Sequence, residues 1–172
     1  MAVRTFILVS AAALALAGCT KKTTTAETLP TPPSDYADPT PSAPSSVSNA
    51  PVPGSHADFL ASVTSDSIYF GTDGYDVDSE DQAVLRSQAQ WLSRYPSKLI
   101  TIEGHADERG SREYNIALGE RRANAAKNYL GTLGIATSRI SVISYGKERP
   151  VAVGSDEAAW AQNRRAVTVT VD

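Results

Sequence analysis

Apolar positions recur along this chain with two different periods, and the alternation between them outlines a small set of elements. Ser67 to Phe70 forms a short strand candidate ahead of the turn-rich Gly71-Thr72-Asp73-Gly74. Ser79-Glu80-Asp81-Gln82 has the form of a capping box with Ser79 as N-cap, opening a helix that stops near Tyr95, before Pro96. Leu85, Ala89 and Leu92 mark its apolar side. Lys98 to His105 alternates instead, with Ile100 and Ile102 on one face and Thr101, Glu103 and His105 on the other. A second helix is predicted from Arg112 to Leu133, with Ser111 as cap and Gly131 and Gly134 as stop signals. A strand at Ile140 to Tyr145, a short helix at Ser155 to Gln162 and a Val/Thr-alternating strand at Ala166 to Val171 complete the series.

This order predicts an α+β or α/β architecture, with helices packed on one face of a small mixed four-stranded sheet. Strands that are apolar on one side only argue against a doubly wound parallel sheet, whose strands are buried on both faces.

The first 57 residues follow neither period. Residues 1–18 read as a secretory signal, with Arg4 ahead of an apolar run from Phe6 to Ala17. That run is short of the roughly 20 residues a membrane span needs. Leu16-Ala17-Gly18-Cys19 resembles the lipobox of bacterial lipoproteins, which implies cleavage before Cys19 and acylation of its sulfur and new amino group. Cys19 is the only cysteine, so no internal disulfide is possible. Thr20 and Lys21 follow it, with no aspartate to signal retention at the inner membrane, which points to the outer membrane. From 19 to 57 the composition turns to Pro, Ser, Thr and Ala, with eight of the ten prolines. Such a segment buries too little to offset its ordering entropy and is expected to act as a tether, about 35 Å end to end if it behaves as a coil. Residues 58–172 suffice for one domain with its own core. Without Arg4 the chain carries 15 basic and 19 acidic side chains, a net charge near −4. That balance disfavours binding to nucleic acid through its phosphates.

Candidate chemistry concentrates in Gly104-His-Ala-Asp-Glu-Arg-Gly-Ser-Arg-Glu-Tyr-Asn-Ile-Ala-Leu-Gly-Glu-Arg-Arg-Ala123. Ile116, Gly119, Ala123, Ala126, Leu130 and Leu133 form the stripe that packs on the sheet. At about 100° per residue, Arg122 falls about 70° from the centre of that stripe and Arg121 about 170° from it. Arg121 therefore points to water, and Arg122 can lean back towards the loop containing Asp107. A carboxylate and a guanidinium placed together can receive both charges of an amino acid head group, or can simply pair with each other. Glu103, His105 and Asp107 also share a strand end, but with only two histidines in the chain a metal site lacks ligands. His105 is expected to be a hydrogen-bonded side chain that shapes the loop. No Ser or Cys nucleophile with a base emerges, so neither an enzyme nor a cofactor is expected.

The same segment, with Tyr69 to Val77 (YFGTDGYDV), Ser144 to Val151 (SYGKERPV) and Asn163 to Val169 (NRRAVTV), resembles the OmpA-like domain, and within it the branch of peptidoglycan-associated lipoproteins. The resemblance covers Ser67 to Val171 and implies an OmpA-like two-layer sandwich of βαβαβ(α)β order. It also implies non-covalent binding of peptidoglycan through the meso-diaminopimelate of the stem peptide. The family's ligand aspartate falls on Asp107 and its arginine on Arg122, with further contacts at Asp73, Arg109 and Leu118. Thr72 stands where relatives carry a large apolar residue. The resemblance further implies binding to the periplasmic protein TolB within the Tol–Pal system, which acts in envelope constriction at division, and an outer-membrane lipid anchor at Cys19. A flagellar stator subunit shares the domain but needs a transmembrane helix carrying an ion-binding acid, and none is expected after the signal. A lipoprotein of the same fold outside the Tol system is the alternative, and SYGKERPV and NRRAVTV favour the first reading.

Overall fold

The computed structural model describes residues 50–171. The signal at 1–18, Cys19 and the tether up to residue 49 lie outside the described residues. The elements run α1 (His56–Ser62), β1 (Ser67–Tyr69), α2 (Ser79–Arg94), β2 (Leu99–His105), α3 (Arg112–Thr132), a 3₁₀ turn (Thr137–Arg139), β3 (Ile140–Gly146), α4 (Glu157–Asn163) and β4 (Arg165–Val171). The four strands form one sheet in the order β1-β4-β2-β3, antiparallel at both junctions of β4 and parallel between β2 and β3. The architecture is α+β with a mixed sheet, as the pattern predicts.

One of the two main helix caps differs in detail. Asp78, not Ser79, is the N-cap of α2, its Oδ1 accepting from the amides of Glu80 (2.8 Å) and Asp81 (2.9 Å). A carboxylate outcompetes a neighbouring hydroxyl there because it both accepts the orphan N–H groups and meets the positive end of the helix dipole. Gln82 correspondingly donates to the Val77 carbonyl and does not close a capping box. Ser111 caps α3 as expected, accepting from Tyr114 N, and Gly134 at φ +90° supplies the left-handed residue beyond its end.

The composition alone does not reveal α1. Phe59 is fully buried in the core and meets the Trp91 ring edge-on at 5.1 Å, while Asp58 accepts from Trp91 Nε1 at 3.0 Å. Gly54 packs against Tyr95 at the C-terminal end of α2. The rest of the core unites Leu85 and Leu92 of α2, Ile100 and Ile102 of β2, and Ala123, Ala126 and Leu130 of α3.

β4 buries the less apolar of its faces. Ala166, Thr168 and Thr170 point to the helices, and Val167 and Val169 are half-buried on the other side. The two hydroxyls are accommodated because they have partners: Thr168 Oγ1 donates to Gln88 Oε1 at 2.8 Å, and Thr170 Oγ1 lies 3.1 Å from His56 Nδ1.

One contact sets how deeply α3 lies on the sheet. A Cβ built on Gly104 of β2 would fall on the carbonyl oxygen of Gly119, and one on Gly119 would strike Ser144 Oγ and lie 2.8 Å from the Gly104 carbonyl oxygen. Only two glycines allow the backbones to approach so closely.

Candidate functional site

Three segments meet above the C-terminal end of β2: the turn after β1, the loop at 106–111, and the first turns of α3. They enclose a recess of about 280 Å³ lined by Thr72, Asp73, Asp107, Arg109, Tyr114 and Leu118, together with Gly110 and Asn115. Five of the six residues named from the sequence as ligand contacts are thus brought together. Arg122 is the exception, because it does not line the recess. It is fully buried behind it, donating from Nε to the Gly74 carbonyl (2.8 Å), from Nη1 to that of His105 (2.8 Å) and from Nη2 to that of Gly71 (3.0 Å). It leans towards the Asp107 loop as the helix geometry predicts, and there ties the turn after β1 to the end of β2. Phe70 covers it, with the guanidinium carbon 5.3 Å from the ring centroid.

Asp107 and Arg122 do not form a salt bridge. Asp107 pairs with Arg109, whose Nη2 lies 2.7 Å from Oδ2 and whose Nε and backbone N–H both donate to Oδ1 at 3.1 Å. The buried Arg164, from the end of α4, stands 3.6 Å away on the other side and donates to Glu157 at 2.7 Å. Burial works to raise the Asp107 pKa, but the hydrogen bonds from Arg109 and the charges of Arg109 and Arg164 outweigh it and hold the carboxyl below its usual range. Loss of water lowers the Arg122 pKa to about 10 against the pull of Asp107, so the group stays charged at neutral pH.

The turn carrying Thr72 and Asp73 is held in place at several points. Asp73 is the one non-glycine residue at positive φ among the described residues, at +55°, a region that aspartate tolerates better than most. Its Oδ1 accepts from the Tyr114 hydroxyl at 3.1 Å. Thr72 Oγ1 accepts from Arg109 Nη2 at 3.4 Å, so the polar residue at this position joins the polar network of the recess. Asn115 donates to the carbonyls of Arg109 and Ser111, closing the loop onto α3.

His105 departs from expectation. Its ring stays on the Glu103 side of β2, with Nε2 3.7 Å from Glu103 Oε2, yet it is 2 % exposed because it packs on Tyr145 at 5.6 Å. Neither ring nitrogen finds a hydrogen-bond partner among the described residues, so it shapes the loop by packing and through its backbone carbonyl. Burial, aided by Arg165 and Arg149, pushes its pKa down to about 4.

Three further contributors were not singled out in the sequence. Tyr114 stands one turn before Leu118 and two before Arg122, a spacing of four that places all three on one side of α3 and could have identified it. Arg164 and Trp160 reach the site from residues distant in sequence, with no local signal. Trp160 donates to Glu108 at 3.0 Å and lies under the Arg109 guanidinium, 4.2 Å from the ring centroid. No group of three or more His, Cys, Asp or Glu side chains among the described residues could hold a metal ion.

The arrangement offers a partly accessible carboxylate in a recess and, directly behind it, a buried cation with only carbonyls for partners. Residues 69–164 match the OmpA family. A peptidoglycan-associated lipoprotein of Agrobacterium fabrum is 57% identical over 68% of this chain and 66% of its own length. One from Mesorhizobium japonicum is 48% identical over 91% and 86%. The crystal structure of the peptidoglycan-associated lipoprotein from Burkholderia pseudomallei shares 47% identity and superposes with a TM-score of 0.61, covering 66% of this chain and 93% of that one.

Proposed function

The chain belongs to the OmpA family, on its peptidoglycan-associated lipoprotein branch, and from that premise we propose that its domain clasps the diaminopimelate of peptidoglycan stem peptides non-covalently. The observation that carries this reading is the buried charge of Arg122. It has no exposed surface and three carbonyls for partners, and no carboxylate is in ion-pair contact with it among the described residues. Two of its five N–H groups remain to be used. A ligand carboxylate entering the recess beside Asp73 approaches that charge, while the ligand ammonium meets Asp107 where its carboxylate lines the recess. Tyr114 and Thr72 hold the turn and Arg109 in place around it, and Leu118 supplies the apolar floor for the side chain between the two charges.

The clasp is reversible because nothing covalent forms, which suits a link that must be released and remade as the envelope constricts. In this reading acylated Cys19 holds the chain to the outer membrane, the Pro-rich segment bridges the gap, and the domain grips the wall. Binding to TolB places the protein in the Tol–Pal system.

Asp107→Asn keeps the shape of the side chain and removes its charge. It is expected to abolish pull-down of the chain by purified peptidoglycan, with its circular dichroism unchanged, and free meso-diaminopimelate should compete with the wild type. Wild-type levels of binding in a folded Asp107→Asn variant would refute the site.

A further inference from the structure

A second furrow lies next to the recess. Beside Leu118, the loop after β1 and the outer side of α3 flank an open groove of about 580 Å³ lined by Tyr75, Asp76, Glu120, Arg121, Asn124 and Asn128. Tyr114 to Asn128 spans about 21 Å of helix. A clasped head group occupies little more than the first turn of that length, whereas three extended residues need about 10 Å. The furrow is therefore long enough for the stem peptide attached to the diaminopimelate.

Its chemistry is that of a peptide track. Asn124, whose Nδ2 donates to the Glu120 carbonyl at 3.0 Å, presents its amide oxygen, Asn128 stands one turn on, and Tyr75 is 46% exposed. Arg121, solvent-facing as the periodicity predicts, carries its guanidinium over Tyr75, 5.7 Å from the ring centroid. None of the ion pairs among the described residues involves it. Its charge is felt at the Tyr114 hydroxyl, which itself holds Asp73, so it lies beside the recess.

In a stem peptide the residue before diaminopimelate is a glutamate joined through its γ-carboxyl, which leaves the α-carboxylate free. That carboxylate survives trimming and cross-linking at the other end of the stem. We propose that the groove receives this preceding part of the stem and that Arg121 binds the α-carboxylate of the γ-linked glutamate. The proposal rests on the clasp described above and extends it from one residue to a short peptide. Arg121 thereby becomes a specificity residue that separates free-acid stems from stems amidated at this position.

Two synthetic tripeptides test it, L-alanyl-γ-D-glutamyl-meso-diaminopimelate and its form amidated at the glutamate α-carboxyl, titrated into the purified chain by calorimetry. The wild type is expected to bind the acid roughly threefold or more tightly than the amide, the range of a solvent-exposed charge pair. That preference should shrink as salt is raised. Arg121→Ala should bind the two forms equally, and Arg121→Lys should recover part of the preference. A wild type that binds both equally, or an Arg121→Ala variant that still prefers the acid, overturns the groove assignment and leaves the clasp standing. A wild type that binds neither peptide overturns the clasp and this extension together.

Discussion

A guanidinium stripped of water and given only carbonyl oxygens in return is costly to bury unless something else balances it. Arg122 is such a group, and the turn at 71–74 is held in place by it. His105 is a second, with the opposite solution: a buried imidazole that stays neutral. Its folded pKa of about 4 lies below the ordinary 6.5, so between those values the unfolded chain takes up the proton that the folded domain refuses. Its contribution is fully present above about pH 6.5 and is lost as pH falls towards 4, a change on the order of 3 kcal/mol. Urea titrations from pH 7 to pH 4 should show wild-type stability falling through this window, and a folded His105→Asn variant should show a shallower slope. Equal slopes would remove His105 as the cause. Periodicity alone separates Arg122 from Arg121, because which side of a helix a residue occupies is a local property. The partners of Asp107 are another matter. Arg109 is close in sequence, but Arg164 arrives by way of a strand pairing between β4 and β2 that no local pattern specifies.

At the scale of elements, the contact of Gly104 with Gly119 determines where the site stands. It lets α3 settle onto β2 so that Arg122, less than one turn further on, reaches the His105 carbonyl. Gly119→Ala must lift the helix, since the new methyl meets backbone as well as Ser144. A loss of about 3 kcal/mol or more is expected in equilibrium unfolding, with weaker peptidoglycan binding in the fraction that folds. A loss under 1 kcal/mol would mean that α3 sits less tightly than the geometry implies. Strands and long helices are legible in advance because each has one apolar side repeated over many residues. α1 is not, since seven residues with one buried aromatic leave little periodic trace. Nor is the inner face of β4, where Thr168 and Thr170 are buried through Gln88 and His56 from distant parts of the chain.

At the scale of the molecule, the proposed function calls for the anchor at Cys19 as well as the domain. Cys19→Ser removes the acylation site, and the chain should then fractionate as soluble or unprocessed protein, with its peptidoglycan binding intact. Unchanged sedimentation with outer membranes would refute the lipid anchor. The direction in which the chain approaches the domain gives the anchor mechanical meaning. Gly54 lies against Tyr95 and Lys98, just ahead of β2, while the recess sits beyond the opposite end of that strand, about 20 Å away along its seven residues. If the proposed anchor and clasp both hold, tension enters the domain near the start of β2 and leaves it at the other end, loading the hydrogen bonds of that strand to its neighbours side by side in shear. Ahead of them in the line of force stands α1, seven residues held chiefly by Phe59 and the Asp58–Trp91 hydrogen bond. It is the part that peels away first, paying out slack before the grip on the wall is strained.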